Sequence, residues 1–223
     1  MQPPLIAPSV LSADFANLQR DIEMLNNSEA DWYHVDVMDG LFVPNISFGF
    51  PVLEAIYKHT KKPLDVHLMI VQPERYIAEF ARAGANHITV HYEACTHLPR
   101  VLTQIRDAGC RAGVALNMQT PVEVLTDIAD MFDQVLIMTI NPGFGGQKLM
   151  PLSIPKVRKL KHLLRTTGSS ALIGVDGGMT LDNTATLVEA GADYVVAGTS
   201  VFGASNPADA IHQLKHSKQI NLA

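Results

Sequence analysis

The chain has 223 residues, of which 47% are hydrophobic, and its net charge is −5. This length and apolar content suffice for one large core, so we expect a single catalytic domain over residues 1–223. The acidic balance and the lack of a Lys/Arg stripe disfavour nucleic acid and membranes as partners. The densest basic stretch, residues 156–165, has helical spacing and predicts the solvated face of a helix.

The start of the chain gives no targeting signal. MQPPLIAPSVLSADF lacks a basic start and a long apolar run, and no later run is long enough to span a membrane. We therefore expect a soluble, cytoplasmic protein. Cys95 and Cys110 are too few for a disulfide framework and belong to no CxxC motif, which predicts buried or inert thiols.

Apolar, β-branched runs alternate with amphipathic segments along the whole chain. The predicted strands cover residues 5–11, 32–38, 64–69, 87–91, 111–116, 134–140, 171–175 and 193–197. Predicted helices cover residues 17–26, 52–59, 74–83, 122–129 and 208–216, and most follow a proline that suits the first helical turn. Glycines that suit helix C-caps precede four of the strands, at Gly84, Gly109, Gly168 and Gly191.

Strands that alternate with helices in this way are typical of parallel sheets, because each parallel pair needs a crossover connection. Eight strand–helix units predict an α/β fold, a single-domain (β/α)8 TIM barrel. An open doubly wound sheet is the alternative. In such a barrel the active site lies at the carboxyl ends of the strands.

Four polar side chains lie on or at the end of predicted strands: His34, Asp36, His67 and Asp176. His34 and Asp36 are two residues apart, so both point to the same side of one strand. Two imidazoles and two carboxylates suit zinc, ferrous iron, manganese or cobalt. We therefore predict one divalent metal at the mouth of the barrel. Asp65, His87 and His91 have similar surroundings but belong to no such constellation, and we expect structural roles for them.

Small residues and methionines surround these positions. Glycine-rich turns follow three predicted strands, at residues 141–147 (NPGFGGQ), at Gly177-Gly178 and at Gly198-Thr199-Ser200. Backbone N–H groups in such turns bind anions, so we expect a phosphorylated substrate. Ser9 is placed to bond a substrate hydroxyl. For the methionines near the mouth, core packing and lining of the site both stay open.

The sequence predicts a metal beside two carboxylates and turns that bind a phosphate, and it has no nucleotide-binding signature. This combination indicates proton chemistry next to a carbonyl. A metal bound to the carbonyl and an adjacent hydroxyl would stabilise the enediolate that forms on deprotonation. Inversion at carbon then needs a base on each face of the substrate, and Asp36 and Asp176 are the candidates.

Segments spread along the chain resemble the ribulose-phosphate 3-epimerase family. They are APSVLSADF (7–15), HVDVMDG with FVPN (34–45), VHLM (66–69), GVALN (113–117), MTINPGFGGQ (138–147), VDGG (175–178) and AGTSVF (197–202). The resemblance implies reversible epimerisation at C3 of D-ribulose 5-phosphate to D-xylulose 5-phosphate, in the pentose phosphate pathway. It also implies one divalent metal per subunit, no organic cofactor, and a homo-oligomer, with dimer and hexamer both open.

The resemblance also assigns roles to individual residues. His34, Asp36, His67 and Asp176 match the family's metal ligands, with Asp36 as proton acceptor and Asp176 as proton donor. The matching substrate contacts are Ser9, His67, Gly143, Phe144, Gly145, Gly146, Gly177, Gly178, Gly198 and Thr199. Met38, Met69 and Met138 match the methionines that surround the enediolate.

The chain departs from the family pattern at positions that we expect at the rim of the substrate site. Leu41 stands where His is usual, Met118 where Pro is common, and Thr199-Ser200 where Ser-Ala is more usual. None of these removes a ligand or a base, so we expect them to affect only the fit of the substrate. Two alternatives stay open: an allulose-6-phosphate 3-epimerase, which has a GTS-type turn after its eighth strand, and a non-catalytic barrel that binds a sugar phosphate.

Overall fold

Strands and helices alternate along residues 3–217, the part of the chain that this computed structural model describes. The strands are β1 (Leu5–Pro8), β2 (Tyr33–Met38), β3 (Leu64–Met69), β4 (His87–His91), β5 (Arg111–Leu116), β6 (Gln134–Met138), β7 (Leu172–Asp176) and β8 (Tyr194–Ala197). The α-helices are α1 (Leu18–Asn26), α2 (Phe50–His59), α3 (Ile77–Arg82), α4 (Leu98–Asp107), α5 (Ser153–Thr167), α6 (Leu181–Ala190), α7 (Thr199–Phe202) and α8 (Pro207–Lys215). Short 3-10 helices span Val10–Ser12, Phe15–Asn17, Pro73–Arg75, Tyr92–Ala94 and Val122–Ile128.

The strands form one parallel sheet in the order β1-β8-β7-β6-β5-β4-β3-β2. Its two end strands meet, because a parallel bridge joins Ser9 to His34 and the Asp31 N–H donates to the Ile6 carbonyl at 2.8 Å. The sheet is therefore a nearly closed (β/α)8 barrel, as predicted, and not an open doubly wound sheet. No helix among the described residues is long and apolar enough to cross a membrane.

Strands β2, β3 and β4 alternate polar and apolar residues although both of their faces are buried. The apolar set, which includes Val35, Val66 and Val90, belongs to the main core cluster with residues of the surrounding helices. Successive side chains of a strand point to opposite faces, so the polar set points into the barrel. An alternation that often indicates a half-exposed strand here indicates a barrel with a polar interior.

Large rings fill the barrel at the amino ends of the strands. The Trp32 ring lies 5.0 Å from the Tyr194 ring and meets the His87 ring edge-on at 4.5 Å. Gly174 makes room for Tyr194, since a Cβ at this position would lie 2.0 Å from the tyrosine ring. This packing closes the lower end of the barrel and leaves the carboxyl ends of the strands for the site.

Most predicted elements are confirmed, with small shifts at their ends. Strands β3, β4 and β5 have the predicted bounds, whereas residues 122–129 form the 3-10 helix Val122–Ile128 rather than an α-helix. The prediction of a solvated basic face at residues 156–165 is wrong for Lys156, which is only 8% exposed. Its Nζ donates to the carbonyls of Asn117 at 2.5 Å and Thr120 at 2.7 Å, because this lysine reaches inward to the loop after β5.

Candidate active site and metal centre

A cavity of about 730 Å³ opens at the carboxyl ends of the strands, where the barrel prediction places the site. Most residues selected from the sequence line it. These are Ser9, Asp36, Met38, Met69, Met138, Gly143, Phe144, Gly145, Gly146, Asp176, Gly177, Gly178, Gly198 and Thr199. His34 and His67 are fully buried and do not line the cavity. The neighbours of His67 therefore separate its ring from a molecule bound in the cavity.

The four expected metal ligands converge beside this cavity. One ligand atom from each of His34, Asp36, His67 and Asp176 lies within 4.8 Å of those of the others. Asp36 Oδ1 is 3.3 Å from His34 Nε2 and 3.1 Å from His67 Nδ1. Asp176 Oδ2 is 4.0 Å and 3.7 Å from the same two nitrogens. The strand register explains the convergence, since Asp36 pairs with His67 on β3 and Asp176 ends β7.

The cluster fits a divalent cation. His34 Nε2 is buried and has no hydrogen-bond partner among residues 3–217, although it faces two carboxylates. Buried carboxylates are costly unless a positive charge or hydrogen bonds compensate them. Two nitrogen and two carboxylate donors suit zinc, iron, manganese or cobalt, and this donor set does not select one of them.

A buried carboxylate orients His34. Asp65 Oδ2 lies 2.7 Å from His34 Nδ1, and Asp65 Oδ1 accepts a hydrogen bond from Gln134 Nε2 at 2.8 Å. An ionised carboxylate only accepts hydrogen bonds, so Nδ1 of His34 carries a proton. When His34 is neutral, Nε2 therefore offers its lone pair to the cluster, as metal ligation requires.

A chain of contacts from His67 through the buried His91 to the Glu93 carboxylate orients His67 in the same way. His67 Nε2 lies 3.0 Å from His91 Nε2, and His91 Nδ1 lies 3.2 Å from Glu93 Oε2. Because the Glu93 carboxylate accepts, His91 is protonated on Nδ1 and accepts on Nε2. His67 must then donate from Nε2, which leaves the lone pair of Nδ1 facing the cluster.

Asp65 and His91 thus contact the expected ligands, a role that the sequence analysis missed. A signal for it exists in the strand period. Asp65 is two residues before His67 on β3 and points to the same side, and His91 ends β4, the next strand. Their contacts depend on the register between strands, which the spacing along one strand does not reveal.

The two carboxylates of the cluster differ in proton affinity. Burial raises the pKa of Asp176 to about 7, and the neighbouring charge of Asp36 acts in the same direction. Burial also opposes ionisation of Asp36, but the positive charge of His34, which is protonated when no metal is bound, outweighs it and lowers the pKa of Asp36. The Ser9 hydroxyl donates to Asp36 Oδ2 at 2.6 Å, which further favours the charged form. Without a bound metal, Asp176 therefore holds its proton to a higher pH than Asp36 does.

The sequence model described as the Ribulose-phosphate 3 epimerase family matches residues 5–202. The chain belongs to the ribulose-phosphate 3-epimerase family. The ribulose-phosphate 3-epimerase of Synechocystis sp. is 49% identical over 217 residues, 96% of this epimerase chain and 94% of the relative. That of Bacillus subtilis is 48% identical over 214 residues, 96% and 99% of the two chains. The chloroplastic ribulose-5-phosphate-3-epimerase of Arabidopsis thaliana is 45% identical over 217 residues, 96% of this chain and 77% of that protein.

Solved structures similar to this epimerase include mutant tryptophan synthase alpha-subunits from Pyrococcus furiosus. One has a TM-score of 0.68 at 16% identity and covers 96% of this chain and 95% of its own. Another has a TM-score of 0.70 at 14% identity, with coverages of 95% and 96%. At this identity the likeness concerns the fold alone, and it agrees with the barrel. The family model and the curated relatives confirm the family and the enzyme class that the sequence motifs predicted.

Proposed function

We propose that this epimerase inverts C3 of D-ribulose 5-phosphate to give D-xylulose 5-phosphate, with Asp36 and Asp176 as its acid–base pair. The observation that carries the proposal is the convergence of two carboxylates, the buried Asp36 and the partly buried Asp176, with two histidines at the wall of one cavity. The names of the relatives support the substrate, which belongs to the pentose phosphate pathway. In this proposal residues 1–223 act as one cytoplasmic catalytic domain, and the homo-oligomer stays a prediction.

The two aspartates divide the proton transfers. Ionised Asp36 removes the C3 proton from one face of the substrate, and protonated Asp176 delivers a proton to the opposite face. In the reverse direction the roles exchange. Ser9 holds the Asp36 carboxylate in place through its 2.6 Å hydrogen bond. His34, Asp36, His67 and Asp176 would hold the divalent cation, which would supply positive charge beside the substrate and make its C3 proton more acidic.

The cavity wall suits a delocalised anion. Met38, Met69 and Met138 line the cavity and are nearly fully buried. Their thioethers are soft and apolar, so they keep water away and strengthen the electrostatic interactions of the bound substrate. Because His67 has no exposed surface, we propose it as a metal ligand and not as a direct substrate contact.

The rim of the cavity suits a phosphate group and a covering loop. We assign the loop to Gly143, Phe144, Gly145 and Gly146, and the Asn45 side chain fastens it by donating to the Gly143 carbonyl at 2.7 Å. The phosphate is assigned to backbone N–H groups of Gly177, Gly178, Gly198 and Thr199, which line the same cavity.

Proton NMR of D-ribulose 5-phosphate in D2O tests the function. We expect D-xylulose 5-phosphate with deuterium at C3 when the protein holds metal, and no exchange after a chelator removes it. Asp176→Asn keeps an oxygen donor but removes the acid, so turnover should fall by ~10²–10⁴-fold. The matched control is Asp130→Asn, an exposed carboxylate away from the cavity, which should keep full turnover.

The same assay separates the alternatives. Exchange with D-allulose 6-phosphate but not with the pentulose phosphate would reassign the substrate to a hexulose. A metal-loaded protein that exchanges neither sugar but binds phosphate ligand would be a non-catalytic barrel. Unchanged turnover in Asp176→Asn would reject the two-base mechanism while leaving the substrate assignment in place.

A further inference from the structure

A second group of metal-ligating side chains lies outside the active site, at the end of α8. His212 and His216 are four residues apart, so they lie on the same face of the helix, and their ring centroids are 4.5 Å apart. Glu29 reaches both rings from the connection between α1 and β2. Its Oε1 is 2.6 Å from His212 Nδ1, and its Oε2 is 2.9 Å from His216 Nε2.

These three side chains have the geometry of a chelate. One donor atom of each lies within 4.8 Å of those of the other two. Two histidines at positions i and i+4 of a helix are a well-known zinc-binding pair, and a carboxylate supplies a third ligand. The donor set favours zinc, nickel or copper over calcium and magnesium, which prefer oxygen ligands. The side chains are 45–55% exposed, so the remaining coordination positions stay open to water.

Two lysines, Lys62 and Lys215, lie near Glu29, and Lys62 Nζ donates to the Ser28 and Ala30 carbonyls on either side of it at 2.7 and 2.6 Å. Lys215 Nζ lies 3.1 Å from the Glu29 carbonyl, but its charge is paired with the Asp31 carboxylate at 2.8 Å. Hydrogen bonds from His212 and His216 hold the pKa of Glu29 below its usual value, so its carboxylate is ionised. Glu29 shortly precedes β2, which places the cluster at the amino ends of the strands, opposite the catalytic cavity.

We propose that Glu29, His212 and His216 form a second divalent transition-metal site, which fastens α8 to the connection before β2. The site is independent of the catalytic cluster and has a structural role. It follows that this epimerase binds one metal equivalent more than catalysis needs. A metal content measured on the whole chain therefore overestimates the occupancy of the active site.

Calorimetric titration of the metal-stripped chain with Zn²⁺ tests the proposal. The native chain should bind one equivalent more than His216→Ala and one more than Glu29→Gln. His162→Ala, which removes an exposed histidine from α5, is the matched control and should bind as many as the native chain. Because the result is a difference between variants, it holds at any occupancy of the catalytic cluster.

Two further measurements distinguish a metal site from a cluster that is held together only by hydrogen bonds. Zn²⁺ beyond the catalytic equivalent should raise the melting temperature of the native chain but not that of His216→Ala. Epimerase turnover at saturating metal should be equal in both proteins. Equal stoichiometry in the native chain, His216→Ala and Glu29→Gln would overturn the proposal.

Discussion

Replacing Glu93 by glutamine tests whether the chain from Glu93 through His91 to His67 decides which nitrogen of His67 is free. Glu93 Oε1 accepts from the Asn117 N–H at 2.9 Å and from the Thr120 hydroxyl. Glutamine must keep its oxygen at that position and turn its NH2 group toward His91 Nδ1. An NH2 group only donates, so the proton of His91 moves to Nε2. His67 then becomes an acceptor on Nε2 and carries its proton on Nδ1, where a metal would bind.

The size of the effect follows from the hydrogen bonds involved. In Glu93→Gln, His67 can free its Nδ1 for a metal only if one hydrogen bond of the chain is broken. A hydrogen bond to a charged group is worth ~1.5–3 kcal/mol. Loss of a group that supports a metal ligand typically weakens metal binding ~10–100-fold, or about 1.4–2.7 kcal/mol. We therefore expect the metal dissociation constant of Glu93→Gln to rise by ~10–100-fold.

Chelator competition on metal-stripped protein measures the dissociation constant, and nitrogen-15 NMR of the imidazoles measures the tautomer of His67 directly. A His216→Ala background restricts the titration to the catalytic cluster. Glu123→Gln, on the exposed face of the 3-10 helix Val122–Ile128, is the control for the loss of one negative charge. An unchanged dissociation constant and tautomer in Glu93→Gln would refute the reasoning, and equal losses in both variants would assign the effect to net charge.

Three other substitutions test the packing around the site. Lys156→Met removes the donor to the carbonyls of the loop after β5, so urea unfolding should show a free energy of unfolding lower by ~2–4 kcal/mol. The exposed Lys159→Met should lower it by less than ~0.5 kcal/mol, and equal losses would contradict the buried contact. Tyr194→Phe removes a buried hydroxyl without a partner among the described residues, so the unfolding free energy should rise by ~1 kcal/mol, and a fall would reveal a hidden partner such as a bound water. Gly178→Ala places a Cβ 2.5 Å from the Leu149 nitrogen at a φ of +66°, so the backbone that is assigned to the phosphate must shift. Steady-state kinetics should then show a higher KM for the phosphorylated substrate, and an unchanged KM would contradict the phosphate assignment.

Local features of the sequence predicted the barrel and selected four side chains that the fold brings together. The period of two in β2 placed His34 and Asp36 on one side of the strand, and Asp36, His67 and Asp176 lie near the carboxyl ends of their strands, at the mouth of the barrel. Apolar runs predicted the strands because burial of such runs depends little on the details of their neighbours. The prediction of an α-helix at residues 122–129 was wrong, because the segment forms a 3-10 helix. A short helical segment takes its final geometry from its packing.

Contacts between residues far apart in the chain needed the tertiary structure. The opposite pKa shifts of Asp36 and Asp176 depend on burial and on distances across the barrel, and Asp65 and His91 reach the expected ligands His34 and His67 through strand register. Glu29 and His212 lie 183 residues apart in the sequence, yet their side chains touch. The sequence by itself determined which chemical groups are present and to which side of a strand they point. Only folding decided which groups meet, because proton affinity and metal ligation depend on distances that no local pattern encodes.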